Sequence, residues 1–288
     1  MKYAGIGYVM IAAILWGVTG GIADILMNKG WNPIVISFYR GTVGFICTFS
    51  WFLFHARQNW PSSRYTYLWS ILAGVGVAGN FTFYFLSIEA SSVAVAATLM
   101  YTAPVFVLLA SFLLRLEDST WFKWTCITVV LIGISLLTNI YNSSSTVTIT
   151  GALLGLGAGI SYALFIFGFK NASAYSKPQT TLTIALFTFC LILFPFLNRQ
   201  EAASVLTSSD VGWFILLGFI GAGFSFVLYI YGVKRTRPTT ASMIAMVEPV
   251  TASLFSVVIL QDSLTFVQLL GMVLILCTIT LLSTKQSS

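Results

Sequence analysis

Apolar runs of about 20 residues, the length a helix needs to cross the hydrocarbon core of a bilayer, recur along the whole chain between short polar breaks. Ten such runs can be marked: Gly5–Met27, Ile34–Phe54, Tyr67–Ile88, Val93–Leu114, Trp121–Thr138, Gly151–Phe169, Thr180–Leu197, Val211–Tyr231, Thr239–Leu260 and Thr265–Ser283. The breaks between them are rich in Asn, Pro, Ser and charge. This pattern predicts an all-α membrane protein of ten transmembrane helices, with almost nothing left for a soluble domain on either side. The first run is expected to be a retained helix and not a cleaved leader. It is long for a leader and ends at Lys29 without a small-residue cleavage site.

Composition agrees with the pattern. Of 288 residues, 58% are hydrophobic and only 8% charged, with a mean hydropathy of +0.92; a soluble domain carries about 25% charged residues. The net charge of +6 is too scattered to make a nucleic-acid footprint, so no nucleic-acid partner is expected. The positions of the charges explain the excess better. With a cytoplasmic N-terminus, eleven cations fall inside: Lys2, Arg57, Arg64, Arg115, Lys123, Lys170, Lys177, Lys234, Arg235, Arg237 and Lys285. Only Lys29 and Arg199 fall outside, and Arg40 lies within a span. Positive charge concentrates on the cytoplasmic side of membrane proteins, so both termini are expected there. Lys234, Arg235 and Arg237 form the densest basic cluster; its primary reading is topological, with attraction of anionic solutes at the inner mouth secondary. Cys47, Cys126, Cys190 and Cys277 lie in apolar runs without CxxC spacing. They read as small hydrophobes, and neither a metal nor a cofactor is expected.

The chain also repeats. An offset of 145 positions lays Tyr84 on Tyr229, Pro104-Val105 on Pro249-Val250, Glu117 on Asp262 and Thr120 on Thr265, and an offset of 146 lays Trp16 on Tyr162. Two units follow, 1–138 and 151–284, joined by an outer linker at 139–150 and ending in a short tail, 285–288. Each unit has five spans, an odd number, so the second enters the membrane from the opposite side. Inverted repeats place a substrate site near the midplane at their interface and suit alternating access. The expected fold is therefore two inverted five-helix repeats, and the expected function is transport.

Several short motifs point to a family. They are Ile14-Leu15-Trp16-Gly17, Tyr84-Phe85-Leu86 before the small-residue run 90–97, Tyr101-Thr102-Ala103-Pro104-Val105 with its partner Glu248-Pro249-Val250, and the acids of Leu116-Glu117 and Gln261-Asp262. Over essentially its whole length the chain resembles the EamA-type transporters of the drug/metabolite transporter superfamily. Both units lack the glycine of that family's usual Leu-Gly-Glu. The resemblance implies export or exchange of small metabolites, commonly amino acids or drugs, across the bacterial inner membrane. It also implies a cavity surrounded by spans one to four and six to nine, with five and ten peripheral.

Polar groups inside hydrocarbon mark pathways by default. Glu248 falls near the midplane beside Pro249; it could bind and release a proton, pair with a cationic substrate group, or serve as a protonated structural acid. Arg40 and Asp24 fall at similar depth and are expected to form a salt bridge, with a substrate-carboxylate clamp by Arg40 as the alternative. Asn80 and Tyr84 share a helix face, as do Ser225 and Tyr229. Trp16 and Tyr162, together with Tyr101 and Tyr39, complete a candidate lining of rings and hydrogen-bonding groups, suited to an amphipathic solute. Because Arg40 alone is available within the spans, an organic phosphate substrate is disfavoured. Glycines at 151, 155 and 159 read as helix-packing spacings. The sole histidine, His55, is remote from Ser161, so no nucleophile–base pair is evident and an enzyme is not expected. A protein working as a monomer is expected, and it exports amino acids or similar small amphipathic metabolites. Proton exchange through Glu248 competes with uncoupled diffusion. Uptake of a cationic or zwitterionic solute, or a non-transporting sensor or scaffold, are the alternatives.

Overall fold

A computed structural model describes residues 2–54, 56–61, 63–142, 147–261 and 263–287. Among these residues every regular element is a helix. The order is α1 (Lys2–Asn28), α2 (Pro33–Phe54), α3 (Ala56–Asn59), α4 (Arg64–Ala90), α5 (Val93–Met100), α6 (Ala103–Leu113), α7 (Trp121–Leu137) and α8 (Ile149–Tyr175). Then come α9 (Pro178–Leu193), α10 (Arg199–Val205), α11 (Val211–Gly218), a π turn (Phe219–Phe224), α12 (Ser225–Arg235), α13 (Pro238–Ile244), α14 (Val247–Ile259) and α15 (Phe266–Ser287). His55 and Asp262, two residues of interest in the sequence, lie outside the described residues.

Among the described residues nine helical stretches are long and apolar enough to cross a membrane. α7, at 17 residues, is a shorter apolar helix standing where a fifth span is expected. Its start is fixed by Thr120, whose hydroxyl accepts the Lys123 N–H. Its end is fixed by Asn139, which takes a left-handed φ of 55°. With about 1.5 Å of rise per residue, it has little length to spare.

Two of the long stretches are broken, α5 from α6 at Tyr101–Thr102 and α13 from α14 at Ala245–Met246. The cause lies just downstream. Pro104 and Pro249 have no N–H to give to the carbonyls four residues earlier, Met100 and Ala245. Tighter turn bonds take over: Thr102 N–H to Leu99, Met246 N–H to Met243 and Glu248 N–H to Ala245. The two prolines fall 145 positions apart, the offset of the repeat, and the breaks sit at nearly matching places, 144 apart.

Packing respects the same exchange of halves. α4 lies along α8, and α1 along α12; α5 meets α8, and α14 meets α1; α7 pairs with α15, and α2 with α9. Without a hydrophobic drive between helices in lipid, such seams rest on close packing and polar links. Along the α4–α8 seam the Asn80 side-chain amide donates to the Ala158 carbonyl at 3.0 Å and the Ser87 hydroxyl to Gly151 at 2.7 Å.

The two ends of the bundle are tied differently. At the end where α1 begins, Glu117 accepts from the Thr239 N–H at 3.1 Å and pairs with Lys123 at 2.8 Å. The Lys170 ammonium donates to the carbonyls of Val233, Lys234 and Thr236, which close α12. Every residue from Pro238 to Val247 is buried, so α13 plugs this end. At the opposite end the α1–α2 loop clasps α10 and the start of α11. Lys29 pairs with Asp210, the Trp31 indole N–H reaches the same carboxylate at 3.0 Å, and the Asn32 N–H reaches Glu201 at 2.6 Å. The Lys29 ammonium and the Trp31 indole hold the Asp210 carboxyl below its ordinary pKa.

Candidate functional site

Glu248 occupies the first turn of α14, directly after the second break. A helix start is a favourable place for a negative charge, and here it is aimed into the middle of the bundle. The Tyr162 hydroxyl, from α8, donates to its Oε2 at 3.4 Å. Tyr101, at the first break, faces the same carboxyl. Arg40 of α2 faces it as a cation. An acid, a guanidinium and two phenols drawn from four separate spans therefore converge where two interrupted helices meet. Interrupted spans are where carriers with repeated folds hold substrates and coupling ions.

Arg40 is positioned by main chain. Its Nη2 and Nε donate to the Gly221 carbonyl at 3.0 and 3.3 Å, and its guanidinium stands 5.3 Å from the centre of the Phe81 ring. Gly221 belongs to the π turn, where the wider winding alters the ordinary hydrogen-bond ladder. Glycine fits here because a Cβ would come within 2.8 Å of Arg40 Nε and 3.0 Å of Thr19 Oγ1, displacing the side chains the turn holds. The same carbonyl accepts from the Ser225 hydroxyl at 2.9 Å, and Ser225 accepts the Trp16 indole N–H at 2.9 Å. Trp16, Ser225, Gly221 and Arg40 thus form one relay from α1 through the π turn to α2.

Beside the relay lies a packed aromatic cluster. Trp16 contacts Phe226 and Tyr229 at centroid distances of 5.2 and 5.0 Å, and Phe165 bridges Trp16 to Tyr162. Through Tyr162 the cluster adjoins Glu248. Trp16 is 4% exposed and Tyr229 is wholly buried, with a hydroxyl that has no hydrogen-bond partner among the described residues.

The other sequence candidates divide. Tyr84 is half-buried and lies within electrostatic reach of Glu248 and Asp24. Asn80 and Ser225 are buried, and their side chains serve the helix seam and the relay. The Tyr39 hydroxyl donates to the Ala202 carbonyl of α10 at 2.7 Å, and its ring packs on Phe214; it stiffens the loop clasp. Asp24 lines a separate cleft of about 420 Å³ with Ala252, Ser253, Ser256 and Gln268, and is also within electrostatic reach of Tyr101. Phe81, Thr19 and the Gly221 carbonyl did not emerge from the sequence. Nor did the π turn, although Gly218, Gly221 and Gly223 cluster in the eighth span.

Comparison with known proteins adds to this geometry. The profile of the EamA-like transporter family matches residues 3–139 and again residues 149–284. An uncharacterized transporter of Archaeoglobus fulgidus is 28% identical over 96% of this chain and 94% of its own length. The uncharacterized inner membrane transporter YicL of Salmonella typhimurium is 26% identical over 96% of this chain and 93% of its own. The threonine/homoserine exporter RhtA of Escherichia coli is 26% identical over 69% of this chain and 65% of its own. A solved crystal structure shares the fold with a TM-score of 0.74, covering 97% of this chain and 98% of its own at 18% identity.

Proposed function

Since the chain belongs to the EamA-like transporter family, we propose that it exports amino acids or similar small amphipathic metabolites across the bacterial cytoplasmic membrane by alternating access. In this reading α7 is a tenth span and the units 1–138 and 151–284 are inverted five-helix repeats, linked by 139–150, with both termini, including the tail 285–288, in the cytoplasm. The carrying observation is the meeting of Glu248, Arg40, Tyr101 and Tyr162 at two helix breaks whose prolines, Pro104 and Pro249, are spaced by the repeat offset. An acid and a base fixed opposite one another, walled by phenols, match a solute that bears both charges and some apolar body. The named activity of the relative RhtA, threonine and homoserine export, supports the same class.

Trp16, Tyr229 and Ser225 then shape the floor, while Arg40, Tyr84, Tyr101, Tyr162 and Glu248 meet the solute. Glu248 is the group that exchanges a proton, if transport is coupled to one. The working unit is the monomer, since the site is built within one chain. Counterflow in proteoliposomes carrying the pure protein, run over a panel that begins with neutral and aromatic amino acids, tests the proposal. Saturable exchange of one class supports it; absence of exchange for every solute overturns it.

A further inference from the structure

At the end where α1 begins, a cleft of about 340 Å³ opens beside the plug, bounded by Leu116, Glu117, Phe167, Lys170, Asn171 and the stretch 234–238. Four cations belong to its wall: Lys170, Lys234, Arg235 and Arg237. One carboxylate, Glu117, faces it, and Lys123 already pairs with that acid. Lys170 spends its donors on the carbonyls of Val233, Lys234 and Thr236, which cancels the negative pole at the close of α12. Lys234, Arg235 and Arg237 are different. The ion pairs found among the described residues, Lys29–Asp210 and Lys123–Glu117, involve none of them.

The depth of the cleft is marked independently. Arg235 stands 5.8 Å from the centre of the Tyr8 ring, and Tyr8 and Tyr231 form a ring pair at 6.2 Å. Tyrosines of this kind collect at the headgroup level of a bilayer. Topology alone calls for positive charge somewhere on this side; it does not call for a recess whose rim carries three cations that form no ion pair among the described residues. Basic recesses between spans hold anionic headgroups, and two guanidinium forks suit a phosphate better than a single carboxylate.

We propose that this cleft binds the phosphate group of an anionic lipid headgroup, with Arg235, Arg237 and Lys234 as its ligands. The site is separate from the central one, and the inference does not depend on which solute is carried. Its walls come from the α6–α7 loop, the end of α8 and the α12–α13 link. A phosphate seated there joins these three elements and favours the closed arrangement of this end.

The test uses the full chain in detergent and follows its thermal unfolding midpoint with phosphatidylglycerol, with phosphatidylcholine and with inorganic phosphate. Phosphatidylglycerol is expected to raise the midpoint where phosphatidylcholine does not. The double variant Arg235→Gln/Arg237→Gln should need more phosphatidylglycerol for the same rise, by about fivefold for each cation removed. A matched double, Arg64→Gln/Lys177→Gln, should keep the wild-type response. A rise with inorganic phosphate that also blunts the lipid effect shows that free phosphate occupies the same ligands; a rise with lipid only assigns the site to the headgroup. Equal losses in both doubles, or no difference between the two lipids, would overturn the proposal. Should the first double fail to fold, Lys234→Gln alone is read in the same way.

Discussion

Arg40 is held by the carbonyl of Gly221, which accepts from two guanidinium nitrogens at 3.0 and 3.3 Å. A cation within one apolar span is thereby anchored on the main chain of another. The guanidinium so held lies within electrostatic reach of Glu248. Gly221→Ala would push a methyl against Arg40 Nε and Thr19. Counterflow should fall by about tenfold or more, with a stability loss of about 1–3 kcal/mol from overpacking, read by thermal unfolding. Unchanged counterflow would separate the π turn from the site.

Glu248→Gln keeps the size of the side chain and removes its charge. The Tyr162 and Tyr101 hydroxyls retain an oxygen to donate to, so the fold should hold, while exchange should fall by about tenfold, the scale of one lost charge-assisted hydrogen bond. Counterflow with and without a pH gradient decides the second role. A proton-exchanging acid predicts that the variant no longer responds to the gradient; an unchanged gradient response would end that role.

Ser225 and Tyr229 should behave oppositely, although both are buried. Ser225→Ala strands the Trp16 indole N–H and should cost about 1–3 kcal/mol. Tyr229→Phe removes a hydroxyl that has no partner among the described residues, so the protein should be as stable or more so. Paired unfolding midpoints in one detergent make the comparison, and a loss in Tyr229→Phe would reveal a bond to the solute or to water.

Gly17 and Gly7 offer a similar contrast within α1. A Cβ at Gly17 would lie 2.5 Å from the Glu248 carbonyl oxygen and 2.6 Å from Thr251, whereas at Gly7 nothing lies within 4 Å. Gly17→Ala should destabilise by about 1–3 kcal/mol. Gly7→Ala should be neutral, or stabilising by up to about 1 kcal/mol through helix propensity.

The loop clasp has a pH dependence of known sign. Asp210 titrates below its ordinary value because Lys29 and Trp31 bond its charged form. Its contribution is therefore complete above the unfolded carboxyl range, near pH 4, and disappears as pH falls through the lower folded value. Asp210→Asn should lower the unfolding midpoint at pH 7 and lose part of the wild-type decline toward acid pH. Parallel curves for the two proteins would show that the clasp carries no stability.

Much of the frame was legible because hydropathy and length are local properties. The long spans, their short connections and the offset of 145 follow from the residues directly. The helix breaks were half legible: Pro104 and Pro249 announce freed carbonyls, but not where the chain opens. α10 hides in what reads as a polar linker, although Asn198 followed by Glu201 carries a helix-start signature, with Asn198 accepting the Glu201 N–H. The main-chain acceptor of Arg40 was not legible: the Gly221 carbonyl is presented only by a three-dimensional winding. Tyr39 shows the same limit, since its hydroxyl reaches a carbonyl 163 positions away.

The buried stretch from Pro238 to Val247 carries a consequence for any carrier that opens to each side in turn. Ten successive residues that are dry here include Thr239, Thr240 and Ser242, hydroxyls that a permanent apolar seal would not need. If this end opens, these are the positions that must become wet. Single cysteines placed along them would go from silent to reactive toward a water-soluble thiol reagent as the protein turns over, and the order in which they light up would trace the path of the solute.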